Sequence, residues 1–183
     1  MGDAIHDSMT DVIVARTPGV PVNPGEWAAR AKEDSGCFDL YRARWCQSFV
    51  ADDGTRLICH FRAPDADSVR MAFRASGEPD VSVWPARVTR LSPVPDAALA
   101  IECESRVALP SDDVRAIESM GSSLPAADVF RLGFVAVSRD RRRVIFVGVP
   151  RGAKPGRHFQ PEFGSTDCRL WNCRTVMPKR VNP

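Results

Sequence analysis

Two stretches of this chain alternate and turn in the same way. Residues 44–50 (Arg-Trp-Cys-Gln-Ser-Phe-Val) and 56–61 (Arg-Leu-Ile-Cys-His-Phe) are apolar-rich runs on either side of Asp53-Gly54. Asp-Gly readily takes the positive-φ conformations of a tight turn, so the pair predicts a β-hairpin. Residues 131–137 and 143–149 flank Asp140-Arg141 and repeat that shape 87 residues later.

The same offset, without a gap, aligns Trp84 with Trp171, Arg87 with Arg174, Gly77 with Gly164, Asp80 with Asp167, Val20 with Val107 and Ala29 with Ala116. Within the hairpins it aligns Arg44 with Arg131, Val50 with Val137, Asp53 with Asp140 and Arg56 with Arg143. The identities are modest. Strand, turn and tryptophan positions nevertheless all keep one offset, as a tandem repeat requires.

Each half reads as strand, helix, hairpin, helix, strand. In the first, residues 11–16 form a strand and Pro24 opens a helix with Trp27, Ala28 and Ala31 as its apolar stripe. Pro64-Asp65 starts a second helix carrying Ala66, Val69, Met71 and Phe73, Gly77 stops it, and residues 81–88 close the sheet. In the second half, residues 99–103 form the strand. Pro110-Ser111-Asp112-Asp113 caps a helix with Val114, Ile117 and Met120. Residues 151–157 (Arg-Gly-Ala-Lys-Pro-Gly-Arg) break the helix expected there, and residues 168–176 are the last strand. The expected organisation is a tail at 1–10, a unit at 11–91, a linker at 92–97 with Pro93 and Pro95, a degenerate unit at 98–177, and a tail at 178–183.

Hairpin register sorts side chains by face. With Asp53-Gly54 at the tip, Val50 opposes Leu57, Ser48 opposes Cys59 and Cys46 opposes Phe61, a small and apolar set for the helices to cover. The other face carries Trp45, Gln47, Phe49, Ile58, His60 and Arg62. His60 is the one histidine inside a predicted strand, and Gln47 lies opposite it. A neutral imidazole can ligate a metal or act as a base near neutral pH. The plain alternative is a structural histidine hydrogen-bonded to Gln47. Residues 87 positions on are Val147 and Phe134, so any site here is single and asymmetric. Arg62 would hold an anionic group, Trp45 and Phe49 would supply apolar walls, and Tyr41, the one tyrosine, is a lining or core residue. His158 sits in a loop with Arg151, Lys154 and Arg157, and His6 in the N-terminal tail. Trp84 and Trp171 follow the repeat, which makes them packing residues.

Composition narrows the classes. Apolar residues at 44% and charged residues at 26% describe a globular chain rather than a disordered one. A net charge of +2 is too slight to call for nucleic acid, and the basic tip 139–143 reads as a solvated turn. No run approaches the roughly 18 apolar residues of a membrane span, and the polar, acidic first ten residues do not resemble a signal peptide. The six cysteines form no CxxC pair. Most lie in strand-like runs, where free cysteine acts as a small hydrophobe. A cytoplasmic protein without disulfides is the expectation. No P-loop, GxGxxG, HExxH, GxSxG or Cys-His zinc spacing occurs.

The stretch Trp45-Cys-Gln-Ser-Phe-Val50, Asp53-Gly54, Cys59-His-Phe-Arg-Ala-Pro-Asp65, Ser68-Val-Arg70 and Gly77 resembles a small bacterial family of ferredoxin-like proteins described as nickel-binding. The likeness covers about forty residues of the first half. It implies α+β architecture: two tandem ferredoxin-like βαββαβ units with antiparallel sheets, packed as a pseudo-dimer in the manner of an α/β-barrel. It also implies a divalent transition metal, nickel, as cofactor. Members commonly carry a histidine two residues after the helix arginine, and Ala72 stands there in this chain.

The first expected function is therefore a small metal- or ligand-binding protein with one site at His60. The alternative is a metal-independent enzyme using His60 as acid/base on a small, anionic substrate, and a further one is a non-catalytic interaction module. The expected partners are a metal ion or small molecule, without membrane or nucleic acid, in a monomer or homodimer.

Overall fold

The computed structural model describes residues 8–33, 35–78, 81–109, 130–150 and 166–178. The strands are β1 (Thr10–Arg16), β2 (Arg44–Ala51), β3 (Leu57–Ala63), β4 (Ser82–Arg90), β5 (Ala97–Ser105), β6 (Phe130–Ser138), β7 (Arg143–Pro150) and β8 (Thr166–Val176). The described helices are α1 (Pro24–Glu33), α2 (Ser35–Leu40) and α3 (Ala66–Ala75). The expected helix after Pro110, the 151–157 segment, His6 and His158 lie outside the described residues.

The eight strands close into one barrel in the order β1-β3-β2-β8-β5-β7-β6-β4, every neighbour antiparallel. This corrects the expected pair of ferredoxin-like α+β units, each with its own sheet, packed as a pseudo-dimer. Two edges that would have ended separate sheets are used up. β2 pairs with β8 over Ser48–Ala51 and Cys173–Val176, and β4 pairs with β6 over Ala86–Arg90 and Phe134–Ser138. An open edge leaves a row of backbone donors and acceptors unpaired, and closure removes both rows.

The strands are buried on both faces, which is why β1 and β7 read as nearly continuous apolar runs. Inside the barrel, Phe49, Phe134, Ile58 and Ile145 interleave with Ala15, Ala86, Ala98, Ala100 and Ala136. Large side chains from some strands meet small ones from others, as filling a narrow barrel requires. Outside, Val12, Val14, Val50, Leu57 and Phe61 pack under Trp27, Phe38, Val69 and Phe73 of the helices. Phe38 stacks on Phe61 at 5.1 Å and meets Phe73 edge-on at 5.1 Å. Asp65 caps α3, its carboxylate accepting from the Ser68 backbone N–H at 2.7 Å.

Gly54 has the predicted positive φ, 70°. A Cβ there would lie 2.6 Å from both the backbone N and O of Val22, so the turn tip admits no side chain. The hairpin keeps its expected register from Val50↔Leu57 to Gln47↔His60. It then slips: Trp45, not Cys46, opposes Phe61. The β6–β7 hairpin slips in the same place, between Leu132 and Phe134.

A second correction concerns the cysteines. Cys103 and Cys168 sit directly opposite across β5 and β8 and are joined by a disulfide. Their separation of 65 residues leaves no local signal of that pairing. Disulfides persist in oxidising compartments, so the cytoplasmic expectation loses the support it took from free thiols. No described helix is long and apolar enough to cross a membrane.

Candidate functional site

The starts of β1 and β2 and the ends of β3 and β4 meet at one end of the barrel. Inward-pointing positions alternate along each strand. At this end they become polar: Asp11 follows Ala15 and Ile13 along β1, Gln47 follows Phe49 on β2, His60 and Arg62 follow Ile58 on β3, and Arg90 follows Val88 on β4.

His60 is 1% exposed. Its Nε2 lies 2.7 Å from Asp11 Oδ1, and Arg90 Nη2 lies 3.4 Å from its Nδ1. The hydrogen-bond network fixes the tautomer of a neutral imidazole here. A carboxylate only accepts, so Nε2 carries the proton and donates it to Asp11. A guanidinium only donates, so the Nδ1 lone pair faces Arg90. The ring also lies 5.7 Å from Phe134, which in turn packs on Phe49 at 5.1 Å. A carboxylate-oriented imidazole against aromatic walls can accept a proton at Nδ1 once Arg90 is drawn aside.

Gln47 is 6% exposed, and its carboxamide nitrogen has no hydrogen-bond partner. Among the described residues Trp171 Nε1 is the other such buried atom, several residues along β8 toward the opposite end. Leaving a buried donor unsatisfied costs on the order of 1–3 kcal/mol.

The register slip in β2 decides two further side chains. A bulge puts one extra residue in a strand and re-aims its neighbours. Trp45 turns outward, packs on the helix-covered face, and donates its indole N–H to Ser48 Oγ at 2.9 Å. The same hydroxyl accepts from Trp27 at 3.0 Å and donates to the Cys59 sulfur at 2.9 Å. The expectation that Trp45 walls the His60 site is therefore wrong. Cys46 takes the mouth position instead, where Arg90, Asp11, Arg44 and Arg62 act on its thiol and burial pushes its pKa up.

Of the other expected site residues, Phe49 lines the interior. Arg62 stands exposed at the rim opposite Asp11 and donates to the Met9 carbonyl at 3.1 Å. Tyr41 packs against the outer, helix-covered cluster and is remote from the barrel interior. Sequence reasoning missed Asp11, Cys46 and Arg90. Asp11 had a legible signal, the one charge in inward phase with Ile13 and Ala15. Arg90 had none, because β4 runs two residues past its predicted end.

The wall opposite is apolar. The positions 87 residues after Asp11, Gln47 and His60 are Ala98, Phe134 and Val147, all in the interior core. Cys46 corresponds to Gly133, where a Cβ would lie 2.7 Å from Val94 Cγ2 and 3.1 Å from the Ser92 carbonyl. Residues 91–96 pack tightly there: the Leu91 N–H donates to the Gly133 carbonyl at 2.8 Å and Ser92 Oγ to the Leu132 carbonyl at 3.1 Å. At the far end of the barrel Arg56 reaches across β2 and β8 to hold Glu102 with two N–H donors, one at 2.9 Å, and donates to Thr17 at 2.8 Å.

Residues 12–85, less than half of the chain, match the model of the family described as nickel responsive protein SCO4226-like. No curated protein matches significantly. Among solved structures, an anthrone oxidase-like protein superposes with a TM-score of 0.51 at 11% identity, over 95% of this chain and 95% of that one. A candidate monooxygenase from Lactobacillus acidophilus NCFM gives 0.44 at 7%, over 92% of this chain and 96% of that one.

The nickel expectation can be set against the side chains. No group of three or more His, Cys, Asp or Glu among the described residues could hold a metal ion. His60 and Asp11 are hydrogen-bonded to each other, and Ala72, where the family commonly has histidine, is fully buried on the inner face of α3. The described residues do not form a nickel site. In its first half the chain is thus similar to a nickel-responsive family, and over 95% of its length its fold is similar to that of an anthrone oxidase-like protein.

Proposed function

We propose that this chain binds a small organic ligand at a single site, the polar end of the barrel formed by Asp11, Cys46, Gln47, His60 and Arg90. The observation that carries this reading is the unpartnered amide of Gln47 beside His60. Native interiors rarely leave such a donor idle, and one beside a buried histidine is suited to a bound ligand or an ordered water that a ligand can displace. The apolar wall opposite argues for one site per chain, and because one chain closes the barrel, a monomer carries all of it. The repeated register slips 87 residues apart support an internal duplication in which one half kept the polar positions and the other became their wall.

A thermal-shift panel of small organic ligands and nickel chloride, on protein purified without an affinity tag, tests the reading. At least one organic ligand should raise the melting temperature, and Gln47→Leu and His60→Leu should each abolish that shift while still folding. Elemental analysis should find nickel well below one per chain. If organic ligands stabilise both variants as much as the wild type, the site lies elsewhere.

The Asp11–His60 hydrogen bond favours one extension, that the bound molecule undergoes acid/base chemistry without a metal. His60 Nδ1 would take a proton from the ligand while Asp11 holds the ring and stabilises the imidazolium. Ligand C–H exchange in D2O should then be catalysed by the wild type and fall about 10²–10⁴-fold in Asp11→Asn or His60→Gln. Equal exchange in all three proteins removes the catalytic role and leaves binding.

A further inference from the structure

The mouth of the site has a charge imbalance that selects among ligands. Four charged groups act on the Cys46 thiol there: Arg90, Asp11, Arg44 and Arg62. Three are guanidiniums and one is a carboxylate, and that carboxylate already accepts from His60. Arg44, Arg62 and Arg90 are exposed residues, so bulk water meets a rim of positive charge. Behind it lies a low-dielectric interior that focuses the field inward. Gln47 adds a buried, unpartnered N–H donor. The site therefore has donors to spare and its one strong acceptor is occupied.

Arg90 is the hinge of this arrangement. Its contact with His60 Nδ1, at 3.4 Å, is long for a hydrogen bond. A carboxylate oxygen would bind the same guanidinium through shorter, charge-assisted bonds of roughly twice the strength. An arriving anion therefore pulls Arg90 off the imidazole and leaves the Nδ1 lone pair open.

We propose that the ligand is a small organic carboxylate, its charged group held between Arg90 and Arg62 at the rim with one oxygen accepting from Gln47. This rests on the ligand-binding reading above and gives it a substrate class. It also makes Arg90 a positioning residue for His60: the anion that Arg90 binds is what exposes the base.

Calorimetric titration with matched pairs tests it, benzoate against benzamide and propionate against propionamide, with inorganic phosphate alongside. Carboxylates should bind saturably, the amides at least about tenfold more weakly, and carboxylate affinity should fall as salt rises. Arg90→Gln and Arg62→Gln should each weaken the carboxylate about tenfold or more, and weaken the uncharged amide by less, because only the carboxylate loses a charge-assisted partner. Nitrogen NMR of His60 should show an Nδ1 shift when benzoate binds the wild type and none in Arg90→Gln. Amides that bind as well as carboxylates overturn the anion assignment and leave the ligand reading standing. Phosphate that binds as tightly as benzoate overturns the organic class in favour of a simple oxyanion site. If neither carboxylate nor amide binds to saturation, the proposal and the reading beneath it both fall.

Discussion

At the scale of single residues, Gln47 sets function against stability. Its amide is buried beside His60 with an unsatisfied nitrogen, a cost that folding bears without return unless a ligand arrives. Gln47→Leu should therefore raise stability by about 1–2 kcal/mol in urea denaturation while removing ligand binding. A loss of stability would mean that the amide is already satisfied in solution. The thiols make a second residue-scale case. Burial pushes Cys59 and Cys173 from 9.0 to about 12. The folded chain thus keeps two protons that the unfolded chain releases above pH 9. Stability from these groups is intact below pH 9 and declines as pH rises from about 9 to about 12, by about 1.4 kcal/mol per pH unit for each thiol. Alkaline unfolding curves should be shallower for Cys59→Ala than for the wild type. The opposition of Gln47 and His60 was legible because an Asp-Gly turn pins the register close by. Asp11 and Arg90 reach the site from β1 and β4, whose pairings are joined by no tight turn, so no local pattern announces them.

At the scale of elements, the β2–β3 hairpin shows both the strength and the limit of pattern reading. Alternation and turn chemistry place four consecutive pairs correctly beside Gly54, from Val50↔Leu57 to Gln47↔His60, and the strict period of two then fails at one bulge. A bulge changes no residue's polarity, yet it exchanges the faces of Trp45 and Cys46 and so swaps an aromatic wall for a thiol at the mouth. Gly54 itself is predicted to be intolerant. With φ at 70° and the Val22 backbone 2.6 Å from any Cβ, Gly54→Ala should destabilise the protein by about 1–3 kcal/mol, measured by chemical denaturation. A neutral effect would mean that residues 21–22 can lift away from the turn.

At the scale of the molecule, the strands were legible and their closure was not. Hydrophobic runs, turns and the 87-residue offset located the elements, but whether two four-stranded sheets stack or join edges depends on β2 meeting β8 and β4 meeting β6. Those pairings link distant parts of the chain, and hydrogen bonds between backbones carry no residue code. The Cys103–Cys168 bridge belongs to this scale because it ties β8, which also pairs with β2, to β5. Closing a 65-residue loop in the unfolded chain, the bridge should contribute about 2–4 kcal/mol. Urea unfolding with and without dithiothreitol measures it, and an unchanged midpoint would show that the two thiols are not joined in solution.

The Arg56–Glu102 bridge at the far end gives the barrel a direction of traffic. Its guanidinium and carboxylate reach over two intervening strands, and Phe49, Phe134, Ile58 and Ile145 fill the interior above them, so a molecule bound at His60 would enter and depart by the rim. Exchange at a site with a single entrance is strictly one in, one out. A competitor cannot push from behind, and in stopped-flow displacement the departure rate should stay constant however much competitor is added.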